Sequence, residues 1–306
     1  MVTKGSGGTP NLEPPLGTPS LDPDAPLSPR GSRRSRILGG GDAGARNVWV
    51  AVASTLVFFG VVAILIVNSP GWPEIKNTFF NERVFRESFP KIVRQFGTNV
   101  FIFIVAEMFV LIVALFFAVL RSLPGPVFAP LRILAIAYTD IFRGIPTILV
   151  ISLLGFGMPA LQLQGLPKSE VFWAIVALVL VYSAYVTEVY RAGIESVHPS
   201  QTAAARSLGL SRMQSMRHVV LPQAVRRVIP PLLNDFIGLQ KDSALVAFLG
   251  VVEALQTANI ISAAEFNYTP FVSLALVYLV ITIPQTRFVD WLIERDRRRR
   301  QGGTTM

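Results

Sequence analysis

The sequence predicts an all-α fold: a polytopic membrane helical bundle of six transmembrane helices with both termini cytoplasmic. Three observations lead there. Of 306 residues, 51% are hydrophobic and only 15% are charged, where soluble domains carry about 25% charged residues. The apolar residues gather in runs about as long as a bilayer-spanning helix, separated by short arginine-rich stretches. The net charge of 28 − 19 = +9 is carried by loops and tails. An ordinary cytosolic enzyme is excluded. With no cysteine there is no disulfide framework, thiolate nucleophile or cysteine metal site, and His198 and His218 are too few for a histidine-rich metal centre.

Residues 1–47 read as a disordered cytoplasmic tail. Prolines recur at 10, 14, 15, 19, 23, 26 and 29, aromatics are nearly absent, and nothing can be buried. Val48–Val67 follows with no charge in 20 residues, enough at 1.5 Å per residue to cross a hydrocarbon core. That run is longer than the h-region of a secretory signal, and the leader before it is too long for one. The segment 68–94 must then be external. Its apolar spacing (Phe79, Phe80, Val84, Phe85, Phe89, Ile92) fits an amphipathic interfacial helix or a structured loop capping the bundle.

The main membrane domain spans 95–290. Gly97–Leu120 is interrupted only by Glu107. Leu131–Gly157 is split, its first half polar and its second half apolar, with Gly144 and Pro146 placed to break or kink it. Val171–Tyr190 carries Glu188 near its end. Leu232–Leu255 holds Asn234, Asp235, Lys241, Asp242 and Glu253, so its polar face needs protein or water around it. Pro270–Val289 is the last span, and 291–306 a basic tail. Six basic residues precede the first helix, and the stretch 191–230 has six arginines against Glu195 alone. Basic segments resist translocation, so both ends and the 191–230 loop belong inside, as six crossings allow.

The 191–230 loop is the informative segment. Pro199 interrupts a helix and Ser200 can cap the next. Ala203, Ala204 and Ala205 form a turn that another protein's surface can approach closely, and Gly209 can end it in the left-handed conformation. A second amphipathic helix then runs to Leu221–Pro222. The pattern describes a small-faced docking helix.

This loop resembles the cytoplasmic loop of permease subunits of binding-protein-dependent ABC importers. Its motif reads Glu-Ala-Ala, three residues, Gly, nine residues, Ile, one residue, Leu-Pro. Ala203, Ala204, Ala205, Gly209, Val219, Leu221 and Pro222 occupy that frame. Ala203 replaces the family's Glu and Val219 its Ile. Phe142–Pro146, Tyr185–Ile194 and Lys241–Leu245 with Val251–Glu253 are similar to elements of the polar amino acid branch, over roughly 95–295. The branch commonly has five core helices, so Val48–Val67 would be an added N-terminal one.

The resemblance implies a plasma-membrane subunit with no cofactor of its own. It implies an ATP-binding cassette ATPase dimer that binds ATP and Mg and docks on Ser200, Ala203, Ala204, Ala205, Gly209, Leu221 and Pro222. It also implies an extracytoplasmic solute-binding protein, a second permease subunit (identical or not) and membrane lipid, but no nucleic acid. The absence of a GxxxxGK[ST] loop agrees with ATP being held elsewhere. The solutes implied are polar amino acids such as glutamate, glutamine, arginine, histidine or cystine.

Candidate pathway residues are Glu107, Arg143, Gly144, Pro146, Asn234, Lys241, Asp242 and Ser243, since ionisable groups and broken helices inside a membrane are where polar solutes find partners. Glu188 with Arg191, and Asp140 with Arg143, have the spacing of helical ion pairs. Lys241 and Asp242 have the option of neutralising each other. Two rivals remain at this stage: a gradient-driven secondary transporter with Glu107 as its coupling site, and a scaffold whose basic tails recruit partners.

Overall fold

A computed structural model describes residues 42–302, and every element among them is helical. Most of the expected tail, with Lys4, Arg30, Arg33, Arg34 and Arg36, lies outside the described residues, as do the side chains of Arg297, Arg299 and Arg300. Residues 42–47, expected in that tail, instead open α1 (Asp42–Val67), a helix that forms a unit by itself.

The second unit begins at Pro70. It contains α2 (Trp72–Phe79), α3 (Glu82–Ser122), α4 (Ala129–Gly144), α5 (Thr147–Ala160), α6 (Glu170–Glu195), α7 (Pro199–Ser207), α8 (Arg212–Ser215), α9 (Leu221–Asp242), α10 (Ala254–Glu265) and α11 (Thr269–Gly302). Among the described residues, four helical stretches are long and apolar enough to cross a membrane. The bent pairs α4–α5 and α8/α9–α10 raise that number to as many as six.

Helix α3 starts at Asn81, whose Oδ1 accepts from the Val84 amide at 3.2 Å, with Glu82 in its first turn and Arg121 in its last, the charge order a helix dipole favours. It runs unbroken for 41 residues, so 82–94 of the expected external segment belong to α3, while 72–79 form the short helix α2. The reason lies in its stripe Val84, Ser88, Ile92 and Phe96. Ile92 and Phe96 pack with Ala254, Ala258, Leu274 and Val277 of α10 and α11. The periodicity marks a seam within the protein. Three hydrogen bonds tie the α2 segment to the turn before α11: Tyr268 N–H to Thr78 O at 2.8 Å, Asn267 Nδ2 to Asn77 O at 2.7 Å, and Asn81 N–H to Thr269 Oγ1 at 3.0 Å.

Helix α6 is the axis of the bundle. Its N-terminus is capped by Ser169, and its buried face carries Ala174, Ala177, Ser183, Ala184 and Thr187. Small residues let neighbouring backbones come close where lipid supplies no hydrophobic driving force. Ile102, Phe103, Ala106, Val110 and Ala114 of α3, Val150 and Ile151 of α5, and Leu239 of α9 close around it.

Two spans are broken. Between α4 and α5 the axis turns by 100°. Pro146 forces its predecessor out of the helical region, and Ile145 sits at φ −98°, ψ 132°. The sequence anticipated this split. It anticipated one helix over Leu232–Leu255, but α9 ends at Asp242, a 3₁₀ segment covers Ser243–Leu249, and Gly250 at φ +82° turns the chain into α10. A left-handed residue ends a helix, and glycine adopts it without steric cost.

Nor does the loop's second helix stop at Leu221–Pro222. Helix α8 opens on a capping box between Ser211 and Gln214. A π turn over Met216–Val220 then carries it directly into α9. Pro222 has no N–H to give and its ring presses on the preceding turn. The wider turn, with Leu221 N–H reaching Met216 O, absorbs both effects. Val197, Val220 and Ala224 form a small core joining the end of α6 to the start of α9.

Where α6 crosses α9, a β-carbon on Gly193 would collide with the Val228 side chain. Gly193→Ala is expected to cost about 1–3 kcal/mol by overpacking, read as a lower melting temperature in detergent. Adding Val228→Ala should restore part of the loss; a further fall would contradict this contact.

Candidate functional site

The loop helix α7 is short and closed at both ends. Its N-cap is His198, not Ser200: Pro199 takes the first helical position, and His198 Nδ1 accepts the Ser200 N–H at 3.2 Å. Pro is favoured at that first position because its missing N–H would be unpaired anyway. At the other end, Gly209 N–H bonds Arg206 O at 3.0 Å and Leu210 N–H bonds Ala205 O at 3.2 Å, with Gly209 at φ +84°. This is a complete Schellman closure. Ala205 is buried; Ala203, Ala204 and Ser200 are exposed, as are Leu221 and Pro222 beyond. Beside the alanines, Leu208 is 84% and Met213 is 75% exposed. The helix therefore presents a shallow apolar surface on a rigid mount.

That mount is the end of α6. Arg227 donates to the Ser196 carbonyl. About two helical turns further in, Glu188 joins three helices. Its Oε1 accepts from Arg121 of α3, which also donates to Thr139 of α4 at 3.1 Å. Its Oε2 accepts from Arg191 Nε and Nη2 at 2.9 and 2.8 Å, and Arg191 Nη1 reaches Glu195 at 2.5 Å. Arg121 and Glu188 are only 14% and 18% exposed. The expected Glu188–Arg191 pair is present. The expected Asp140–Arg143 pair is not: Asp140 is exposed, and Arg143 turns to Glu188, 3.9 Å away.

A cavity of about 400 Å³ opens beside this network, lined by Arg143, Tyr185, Glu188, Arg227 and Asp235 among others. Arg143 lies over the Tyr185 ring at 5.6 Å. Asp235 Oδ2 is buried without a hydrogen-bond partner. Asp235 was legible as a membrane carboxylate but not as a wall of the same cavity as Arg143, because that meeting of α4 with α9 has no local sequence signature.

The other candidates do not gather there. Glu107 is half-buried on α3 and makes no ion pair among the described residues. Asn234 and Lys241 are exposed. Asp242 accepts from the Tyr182 hydroxyl at 2.9 Å, and among the described residues it forms no direct ion pair with Lys241. Gly144 and Pro146 flank the α4–α5 break. Ser243 is buried and belongs to a different cluster. Asn99 Nδ2 reaches Ser243 Oγ at 3.4 Å and Glu253 Oε2 at 2.6 Å, while Asn99 Oδ1 accepts from Ala254 N–H at 3.1 Å. Glu253 Oε1 accepts from Gln256 N–H at 2.8 Å. This cluster caps α10 inside the bundle. Its partners lie 154 residues apart, and nothing in the sequence links them.

Comparison with known proteins places this architecture. Residues 112–298 match the family of binding-protein-dependent transport system inner membrane components. The chain is 36% identical over 217 residues to a probable amino-acid ABC transporter permease protein, YckA, of Bacillus subtilis, covering 71% of this chain and 92% of that one. It is 38% identical over 172 residues to a probable glutamine ABC transporter permease protein, GlnM, of the same organism, covering 55% and 77%. A crystal structure of an amino acid ABC transporter with histidines superposes with a TM-score of 0.62 at 29% identity, covering 67% of this chain and 94% of that one.

Removing one partner of a buried ion pair strands the other charge, which costs about 3–5 kcal/mol. Glu188→Ala should therefore lower the melting temperature more than the paired replacement Arg121→Met with Glu188→Leu. Equal or smaller loss in the single variant would show that the network carries no such charge.

Proposed function

The chain belongs to the family of binding-protein-dependent transport system inner membrane components and is a permease subunit of an amino acid ABC importer; on that premise we propose how it works. It is a transport subunit and not an enzyme: ATP is hydrolysed by separate partner subunits. The chain crosses the plasma membrane six times, with α1 added to a five-helix core, and both termini and α7 face the cytoplasm, as the placement of arginines favours. A second permease subunit completes the pathway, and an extracytoplasmic binding protein delivers the solute. Glutamine and arginine are the solutes in the names of relatives, and they are the first to test here.

The observation that carries the coupling assignment is the α7–α8 segment: a helix closed at both ends with Ala203 and Ala204 bare at its surface, followed by exposed Leu208 and, on α8, Met213. The nucleotide-binding partner docks on this surface, joined by Ser200, Ala205, Gly209, Leu221 and Pro222 as the frame that shapes it. Closing and opening of the partners shifts the bundle between outward-open and inward-open populations. The loss of the family's Glu at position 203 leaves an apolar contact in place of an ionic one. The ion-gradient alternative built on Glu107 is not favoured by the family match.

In proteoliposomes with the partner subunits, glutamine or arginine uptake should require ATP on the α7 side and should survive an ionophore; uptake abolished by ionophore alone would overturn this reading. A β-branched residue at Gly209 meets a left-handed backbone, so Gly209→Val should leave the protein inserted but lower ATP-driven uptake at least about tenfold. Unchanged uptake would contradict the role of α7.

A further inference from the structure

Arg143 lines the cavity without a carboxylate oxygen in hydrogen-bond range. Glu188 has two oxygens, and each is taken: Oε1 by Arg121, Oε2 by Arg191. Arg121 spends a further donor on Thr139, and Arg191 spends one on Glu195. Arg143 stands 3.9 Å from the oxygen that Arg121 already holds, outside hydrogen-bond range. Three arginines face two glutamates, so the group carries 3 − 2 = +1.

The surplus charge is oriented as well as unspent. The Arg143 guanidinium is stacked over Tyr185, whose hydroxyl donates to the Arg143 carbonyl at 3.4 Å. Side chain and backbone are thus both steadied by one residue of α6. Arg143 is 42% exposed and lines the cavity of about 400 Å³, a volume typical of small-ligand sites. Arg227, the other cation in its wall, is engaged by the Ser196 carbonyl. Asp235 also lines the cavity, with its Oδ2 buried behind the wall and unpartnered. A wall that mixes one spare arginine with carboxylates suits a zwitterion and disfavours a polyanion.

We propose that Arg143 is the carboxylate subsite of this cavity, taking the α-carboxylate of an amino acid in transit through a forked, charge-assisted pair of hydrogen bonds. Glu188 is the anion it faces when the cavity is empty. This rests on the reading of the chain as an amino acid permease and adds the group that recognises the moiety all such solutes share.

The test uses the purified complex with its ATPase partners and without the solute receptor. Competition binding compares glutamine with glutaminamide and arginine with argininamide, each amide lacking the carboxylate charge. The wild type should prefer the acid by about tenfold or more, as a site built around a charged hydrogen bond rejects an analogue that lacks its partner. Arg143→Gln should bring that ratio close to one. Arg143→Lys, which keeps the charge but not the fork, should lie between, and it supplies the result if Arg143→Gln does not assemble. A preference unchanged in the variants, or absent from the wild type for both pairs, overturns the subsite. ATP-driven uptake by the wild type, measured on the same complex reconstituted in proteoliposomes with the receptor added, separates the outcomes: if uptake is present, only the Arg143 assignment falls.

Discussion

In hydrocarbon no water completes a hydrogen bond, so each backbone N–H and C=O that leaves a helix inside the membrane needs a partner within the protein. The shape of this chain follows from how it meets that demand. It breaks its spans at two places, and each break is provided for. At Ile145–Pro146 the proline has no N–H to satisfy. At α10, the helix that restarts within the bundle, the first amides are met by side chains: Glu253 takes the Gln256 N–H and Asn99 takes that of Ala254. Where such a cap is lacking, an irregular segment at this depth would cost several kcal/mol per unpaired group.

These breaks let polar groups approach the interior, while the unbroken helices transmit position. Helix α6 is continuous from Ser169 to Ser196 and ends directly in the mount of α7. Along its last turns it is fastened to α3 and α4 through Glu188, and to α9 through the Gly193–Val228 approach and the Val197–Val220–Ala224 core. The end of α6 that carries α7 is therefore joined to the bundle by two sets of contacts. One leads to α4, which carries Arg143; the other leads to α9, which carries Asp235. The wall groups of the cavity are carried by α4 and α9, the elements to which the end of α6 is fastened.

Much of this was legible in the sequence, for physical reasons. Uncharged runs mark lipid-exposed spans, the Pro146 break is dictated by the ring's effect on Ile145, and the Gly209 stop announces a left-handed cap. Most of the readings that changed turn on contacts between distant segments; the Pro222, Gly250 and His198 readings changed for local reasons. The stripe from Val84 to Phe96 has the same period whether it faces lipid or protein, and only packing on α10 and α11 decides. Asp140 and Arg143 have ideal spacing, yet Asp140 is exposed and the Arg143 guanidinium lies over Tyr185, with Glu188 3.9 Å away. The Asn99–Glu253 cap has no local signal. Pro222 looked like a terminus because a proline normally ends the helical ladder, and a π turn is the exception that lets it continue.

The central claim is that α7 is where a nucleotide-driven subunit grips this protein. The chain has no cysteine, so one introduced at Ala204 is unique, and one at Leu163, beyond the other end of α6, is its control. With a short bifunctional thiol reagent in intact membranes, Ala204→Cys should cross-link to an engineered cysteine on the ATPase partner and stop uptake, while Leu163→Cys should not link. An Ala204 thiol that never joins the ATPase, in membranes where ATP-driven uptake proceeds, would contradict the account.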